Sequence, residues 1–453
     1  MANAGPHHRR IARGVMIAGL VVLGVVLAGG AALILGVGDG TAIAGRFMLK
    51  RDAIIVEQRP DPAYEQLFPY YVELCATSQW NSLANGTGGV TGHAVMYIKG
   101  ACKDADAPYP LLRRCRRVAT ALDDPEHGAG VSVNRWLRNV NWLAIPGYNL
   151  FHEGNLEPGQ RLTQAHVDGT VADAIAAGVF DGVEFQDYPT ESPTRSLEDF
   201  VARRSIGTDF ALRYGRTNFC SRMPVTEPML DEIVGFLNDK NLEYATGEAD
   251  YNWSVLADNC VHTLRNALAA ANVWSPLSVR EVKLRHLLNL AVPANEFVNL
   301  ARLGAEGTLE DPRELYAQDE QRDALYDFGW LPSRHGALLK TLPVHAPNDM
   351  FDTTFRLFTL QSPLRLGKTN DAVRLLSDER FVDLEANLQH FQQRYDAILA
   401  DRDEQVDGLA SVRGDPYRRF ERRHRAYIEA QRAEVTAMLD RLRDIKQLAP
   451  AAD

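Results

Sequence analysis

The string Asp258-Asn259-Cys260-Val261-His262 is where side-chain types and spacing on this chain could first do chemistry. A cysteine in the first turn of a helix meets unpaired N–H groups and the positive end of the helix dipole. Both favour the thiolate, the form that attacks a carbonyl carbon. Asp258 or Asn259 supplies a capping side chain, and Val261, Leu264 and Leu268 form the stripe such a helix would bury. A thiol nucleophile needs a base. His262 lies two residues on, about 200° around the helix, so its ring is expected to face away from the thiol as a structural or exposed residue. His93, far upstream, opens the alternating run His93-Ala94-Val95-Met96-Tyr97, which reads as a strand. From the mouth of that strand it could take the Cys260 proton and return it to a leaving group. A third polar group usually orients the histidine. His127, Ser132 and Asn134 are candidates on or near the next strand, and Asn134 is the choice. The backbone N–H of Cys260 could serve the oxyanion.

The elements that must position these groups are mixed. Apolar and aromatic residues at helical spacing predict a helix over 63–76. Strands follow over 92–99 and 128–136, and an apolar stretch from Trp142 ends at the Pro146-Gly147 turn. Residues 166–178 and 197–204 read as helices, and 208–214 alternates as a strand. Thr226 caps a helix with Pro228 in its first turn, and the cysteine helix runs over 260–271. Beyond 307 the chain becomes charged, glycine-poor and helix-prone. Segments 371–402 and 416–448, separated by Gly408 to Gly414, predict an antiparallel helical hairpin with no expected chemistry of its own.

The chain has 453 residues, 45% hydrophobic and 24% charged, with a net charge of -10. The balance is ordinary for a globular protein and argues against a nucleic-acid surface. Residues 14–38 carry no charged side chain. As a helix they would reach roughly 37 Å, enough to cross a bilayer. Arg9, Arg10 and Arg13 precede them, which favours a cytoplasmic N-terminus and a main domain on the far side of an inner membrane. Ala42-Ile43-Ala44 offers a cleavage site, but the apolar run is longer than a usual signal segment, so an uncleaved anchor is expected. Five cysteines leave one unpaired. If that one is Cys260, the other four could form up to two bridges, with Cys102 and Cys115 nearest in sequence.

Tyr251-Asn252-Trp253, Asp258-Asn259-Cys260 and Thr263-Leu264-Arg265 together resemble the motif of the DUF4105 family, also described as the Lnb N-terminal periplasmic domain. Gly92-His93-Ala94 resembles its upstream Gly-His element, and Asn141-Trp142-Leu143-Ala144-Ile145-Pro146-Gly147 its middle region. Val261-His262 departs from that motif toward the Asn-Cys-x-His string of lecithin:retinol acyltransferase-like enzymes. The resemblance implies an α+β, circularly permuted papain-like (NlpC/P60-type) fold, in which the strand histidine precedes the helix cysteine. It covers roughly 63–305.

The expected organisation is a cytoplasmic tail over 1–13, a transmembrane helix over 14–38, a linker over 39–62, the papain-like domain over 63–305 and a helical region over 306–453. The expected activity is that of a periplasmic, membrane-anchored thiol hydrolase or acyl-transfer enzyme, with no cofactor and no metal. Its substrate would be a peptide, peptidoglycan or lipid acyl group, and the C-terminal helices could take a protein partner. Two other expectations stand beside it. One is a non-catalytic envelope scaffold. The other is a metal-dependent hydrolase using His93, His127 and His152. His152-Glu153 lacks the second histidine of a zinc helix, and Asn85-Gly86-Thr87-Gly88-Gly89 lacks the lysine of a phosphate loop.

Overall fold

The structure is a computed structural model that describes residues 48–49, 61–78, 92–157, 160–189, 196–204, 209–214, 218–254, 258–279, 292–342, 357–358, 368–405 and 415–448. The chain divides into two units, Met1–Met48 and Leu49–Asp453, and all that follows concerns the second. The expected tail and transmembrane helix lie outside the described residues. So do nearly all of the linker over 39–62 and the Gly408–Gly414 break. Among the described residues, no helix is long and apolar enough to cross a membrane.

The fold is α+β. In chain order its first elements are α1 (Pro62–Leu67), β1 (Tyr71–Thr77), β2 (His93–Lys99), a small hairpin of β3 (Ala101–Lys103) and β4 (Leu112–Arg114), β5 (Gly128–Val133) and β6 (Trp142–Pro146). Next come α2 (Tyr148–His152), α3 (Gln164–Ala176), α4 (Leu197–Arg204), β7 (Asn218–Pro224), α5 (Glu227–Ala245), α6 (Cys260–Ala270) and α7 (Pro293–Glu306). The last are α8 (Pro312–Ala317), α9 (Asp319–Phe328), β8 (Leu338–Leu342), α10 (Lys368–Leu376), α11 (Glu379–Val382), α12 (Leu384–Gln405) and α13 (Asp415–Leu448). Six strands form one antiparallel sheet in the order β6-β5-β2-β1-β7-β8.

The helix expected over 63–76 is corrected. Asp61 caps α1 and Pro62 starts it, but the chain leaves the helix at Phe68, ahead of Pro69, and becomes the central strand β1. All seven β1 residues are buried because both sheet faces are covered. That removes the alternation that marks a half-exposed strand. The strand expected over 208–214 is corrected too. The amides of Ala211, Leu212 and Arg213 bond the carbonyls of Leu150, Phe151 and His152, closing the C-terminal end of α2 instead of pairing in the sheet. The strand of this region is β7, which pairs with β1 and β8. The helical hairpin is present: Lys446 meets Glu385, Thr436 meets Gln392 and Arg432 meets Asp396, an antiparallel register. The region beyond 306 also supplies β8, whose pairing with β7 makes it an edge of the same sheet.

The two faces of the sheet differ. Leu74, Met96, Ile98, Val131 and Met223 alternate onto an apolar face. The other face buries ions, contributed by Glu73, Lys99, Arg222 and Lys340 on four strands and by Glu65 from α1. Arg222 bonds Glu73 at 2.7 Å and Glu65 at 3.0 Å. Its guanidinium lies over the Tyr64 and Tyr71 rings. Lys99 lies 3.1 Å from Glu65 and Lys340 3.5 Å from Glu73. Two glycines permit close geometry. Gly92 turns the chain into β2 at φ 77. A Cβ on Gly130 would meet the Phe151 ring at 2.1 Å, so only glycine lets α2 lie down on β5.

Cys75–Cys220 clamps β1 to β7, and Cys102–Cys115 clamps the small hairpin; Cys260 is the free cysteine.

Candidate active site

Cys260 is the first residue of α6. The Asn259 side chain accepts hydrogen bonds from the amides of Val261 at 2.9 Å and His262 at 3.4 Å, so Asn259 is the cap. Three further contacts hold this helix end in place. Thr263 donates to Asn141 at 2.7 Å, at the foot of β6. Asn241 of α5 accepts from the Asn141 and Trp142 amides. Trp142 in turn donates its indole N–H to Leu237 at 2.7 Å. His262 is buried, against the expectation that it could be exposed. Its Nδ1 is 3.1 Å from the Asn259 side-chain oxygen, a structural contact at the cap.

The thiol meets the strand that carries the histidine. The Ala94 amide points at the Cys260 sulfur from 3.5 Å, and His93 is the residue before it. Burial dominates the thiol's acidity and pushes its pKa up to about 11. Amide hydrogen bonds from Ala94, Val261 and Cys260 itself pull it down, and the Asp209 carboxylate opposes them. The helix terminus does favour the thiolate, as expected, but desolvation outweighs it, and the resting sulfur carries its proton.

His93 opens a short polar chain. Its Nε2 is 2.8 Å from Ser132 Oγ, and Ser132 Oγ donates to Asp209 Oδ1 at 2.7 Å. Asn134 donates to the other oxygen, Asp209 Oδ2, at 2.6 Å, and accepts from the Trp136 amide at 2.8 Å. A hydroxyl has one proton and an ionised carboxylate has none to give. Ser132 spends its proton on Asp209, so His93 must donate through Nε2–H. In the neutral ring that fixes the tautomer and makes Nδ1 the accepting nitrogen.

Of the three expected orienting residues, Ser132 is therefore the one that contacts His93. Asn134 acts on Asp209, and His127 lies elsewhere. His127 sits between Tyr97 and Glu65 in the buried ion cluster, at 2.9 Å from each, while His152 lies 3.4 Å from Glu73. Among the described residues, the side-chain groups close enough to hold a metal are Glu73 with Cys75 and Cys220, and Glu126 with Cys102 and Cys115. In both, the cysteines are joined as disulfides. His93, His127 and His152 do not converge on a common site, which removes the geometric basis for the metal-dependent reading.

Asp209 escaped the sequence. In an alternating strand it would be a surface acid; the only signal is its place ahead of the apolar pair Phe210-Ala211. Tyr251 was visible in the motif but not assigned a task. It is buried at 4% exposure, its hydroxyl has no hydrogen-bond partner, and it packs edge-on against Tyr244 at 5.3 Å. Ser254 and Asp258 bridge through their backbones and return this segment to the α6 terminus. Tyr251 also lines a cavity of about 460 Å³ with residues 185–188 and 250–252.

No family model matches the chain, and no curated protein or solved structure matches it.

Proposed function

We propose that this protein is a thiol-dependent hydrolase or acyl-transfer enzyme acting on an amide, peptide or ester bond. Cys260 is its nucleophile, His93 its base and Ser132–Asp209 the pair that orients the base. The observation that carries the reading is the meeting of the free cysteine, at a capped helix terminus, with the strand that begins at His93 and its Ser132–Asp209 chain. In the reaction His93 Nδ1 takes the Cys260 proton as the sulfur bonds to the substrate carbonyl carbon. The oxyanion is met by backbone N–H groups at the start of α6. The tetrahedral adduct collapses to a thioester, and the proton passes from His93 to the departing amine or alcohol. Water or another acceptor then takes the acyl group, with His93 as base once more. Because burial keeps the resting thiol neutral, the base is essential at neutral pH.

The fold is best read as the permuted papain-like, NlpC/P60-type arrangement, supported by the chain order of histidine strand before cysteine helix. The apolar run over 14–38 supports an inner-membrane anchor with the main domain periplasmic, and two disulfides fit an oxidising compartment. Peptidoglycan peptides and lipid acyl groups are the proposed substrates. The deep burial of the thiol favours the second reading, a non-catalytic scaffold that keeps the fold. Iodoacetamide labelling of Cys260 near pH 7 separates the two. A catalytic thiol labels faster than a sulfur of pKa about 11 allows, and slows in His93→Ala. Labelling that is slow and indifferent to His93 leaves only the scaffold.

A further inference from the structure

The turn that carries Asp209 is held from two sides. On one side Ser132 and Asn134 donate to the two oxygens of its carboxylate, at 2.7 and 2.6 Å. On the other, Asn218 at the start of β7 donates its Nδ2–H to the Leu212 carbonyl at 2.6 Å. The sheet register relates both holds to the base. His93 faces Thr77 on β1, and Thr77 faces Asn218 on β7. Directly opposed residues put their side chains on one sheet face, so His93, Thr77 and Asn218 form a single row. His93 therefore reaches the turn by two routes: through Ser132 to Asp209, and across the row to Asn218 and Leu212.

The backbone of the turn supplies a second observation. Ala211 is fully buried and carries a side chain, yet its φ is 58, in the left-handed region. Such a residue persists only where its surroundings determine it, and such residues gather at functional sites. Its amide bonds the Leu150 carbonyl at 3.2 Å, and its carbonyl accepts from the Tyr214 amide at 3.0 Å. Asn218 takes the next carbonyl along, and Arg213 pairs with Glu153 at 2.9 Å.

We propose that Asn218 is a positioning residue for the base, a role that rests on the thiol-enzyme reading above. By fixing the Leu212 carbonyl it holds Asp209 where Ser132 must spend its proton on the carboxylate. That keeps the neutral His93 ring in its Nε2–H form, with Nδ1 open to the Cys260 proton. If the turn shifts, the Ser132 proton is released to point at Nε2. The ring then carries its proton on Nδ1, which can no longer accept one.

The test follows two readouts in the full chain carrying Asn218→Ala. One is the pair of His93 ring nitrogen shifts, read by NMR at a pH where the ring is neutral. The other is the rate of iodoacetamide labelling of Cys260. The native ring should show the Nε2–H form alone, and the variant a mixture of both tautomers. Labelling should slow roughly 2- to 10-fold, the worth of one net hydrogen bond. Added to Asp209→Asn, Asn218→Ala should cost nothing more, because Asn218 acts only through Asp209. Asn218→Ser keeps a polar group in the buried row but is too short to reach Leu212. It should behave as Asn218→Ala does, and it guards against a variant that fails to fold. A single Nε2–H form in the Asn218 variants, or losses that multiply in the double variant, would overturn the role. Labelling indifferent to His93→Ala would instead break the dyad reading, and the tautomer would still decide the part played by Asn218.

Discussion

The two ends of β2 carry the same kinds of atoms to different ends. Lys99 and Tyr97 at one end join Glu65, Glu73, Arg222 and Lys340, where carboxylates and cations pair with one another and aromatic rings close over them. Some six residues away, about 20 Å along the strand, His93 joins Ser132 and Asp209, and the Ala94 amide beside it meets the thiol of Cys260. The first cluster is closed: burial raises the cost of each charge and a partner offsets it, so it stabilises one arrangement of the sheet. The second ends in groups that can exchange protons. Both are buried, so burial alone does not mark a site; what sets the second apart is a polar chain on the strand that meets a free thiol.

That contrast can be broken most sharply at Arg222. Arg222→Ala leaves Glu65 and Glu73 buried without their shared cation, and urea denaturation should register a loss of about 3–5 kcal/mol. Cys260→Ala removes the sulfur at the other end and should cost about 1 kcal/mol, while abolishing covalent labelling there. If the two variants destabilise equally, the division between structural and chemical ends fails.

His93→Ala comes next. General-base assistance contributes roughly 10²–10⁴, so Cys260 labelling near neutral pH should fall by about that factor, read by mass spectrometry of the labelled peptide. Raising the pH toward 11 should restore much of the rate, since the thiol then ionises unaided.

Ser132→Ala and Asp209→Asn act on the base through its orientation and tautomer. Each is expected to slow labelling roughly tenfold, less than removal of the base itself, and to shift the pH profile. An Asp209→Asn profile that superimposes on the native one would separate Asp209 from the site.

Acid stability tests the closed end alone. Burial holds His152 neutral, down to a pKa of about 3. For Glu73, burial raises the pKa, but Lys340 and Arg222 together outweigh it and bring the value to about 2. The unfolded chain binds protons more readily in both cases, so both contributions weaken as pH falls. The His152 contribution fades from about 6.5 toward 3, and the Glu73 contribution from about 4.5 toward 2. Denaturation midpoints measured across that range should drop steadily in the native protein. His152→Phe should flatten the upper part of the curve and leave the lower part.

Legibility followed the range of the interaction. The cap at Asn259, the α6 stripe and the strand at His93 were visible because each depends on neighbours within a turn or a pleat. The hairpin of α12 and α13 was visible for the same reason. β1 was misread because a strand buried on both faces loses its alternation. The segment that carries Asp209 was misread as a strand because it bonds α2 instead, a choice made by partners about sixty residues away. Asn134 was placed in the right neighbourhood but one step out: it steadies Asp209, and Ser132 touches the histidine.

The sequence by itself determined where a nucleophile and a base could stand, through capping, helical spacing and strand alternation. It also determined that one cysteine of five must lack an intramolecular partner. Only the tertiary structure decided that this one is Cys260, that Ser132 and Asp209 set the tautomer of His93, and that the thiol rests protonated. Those outcomes depend on desolvation and on hydrogen bonds between residues far apart in the chain, and neither exists until the sheet and its covering helices have closed around them.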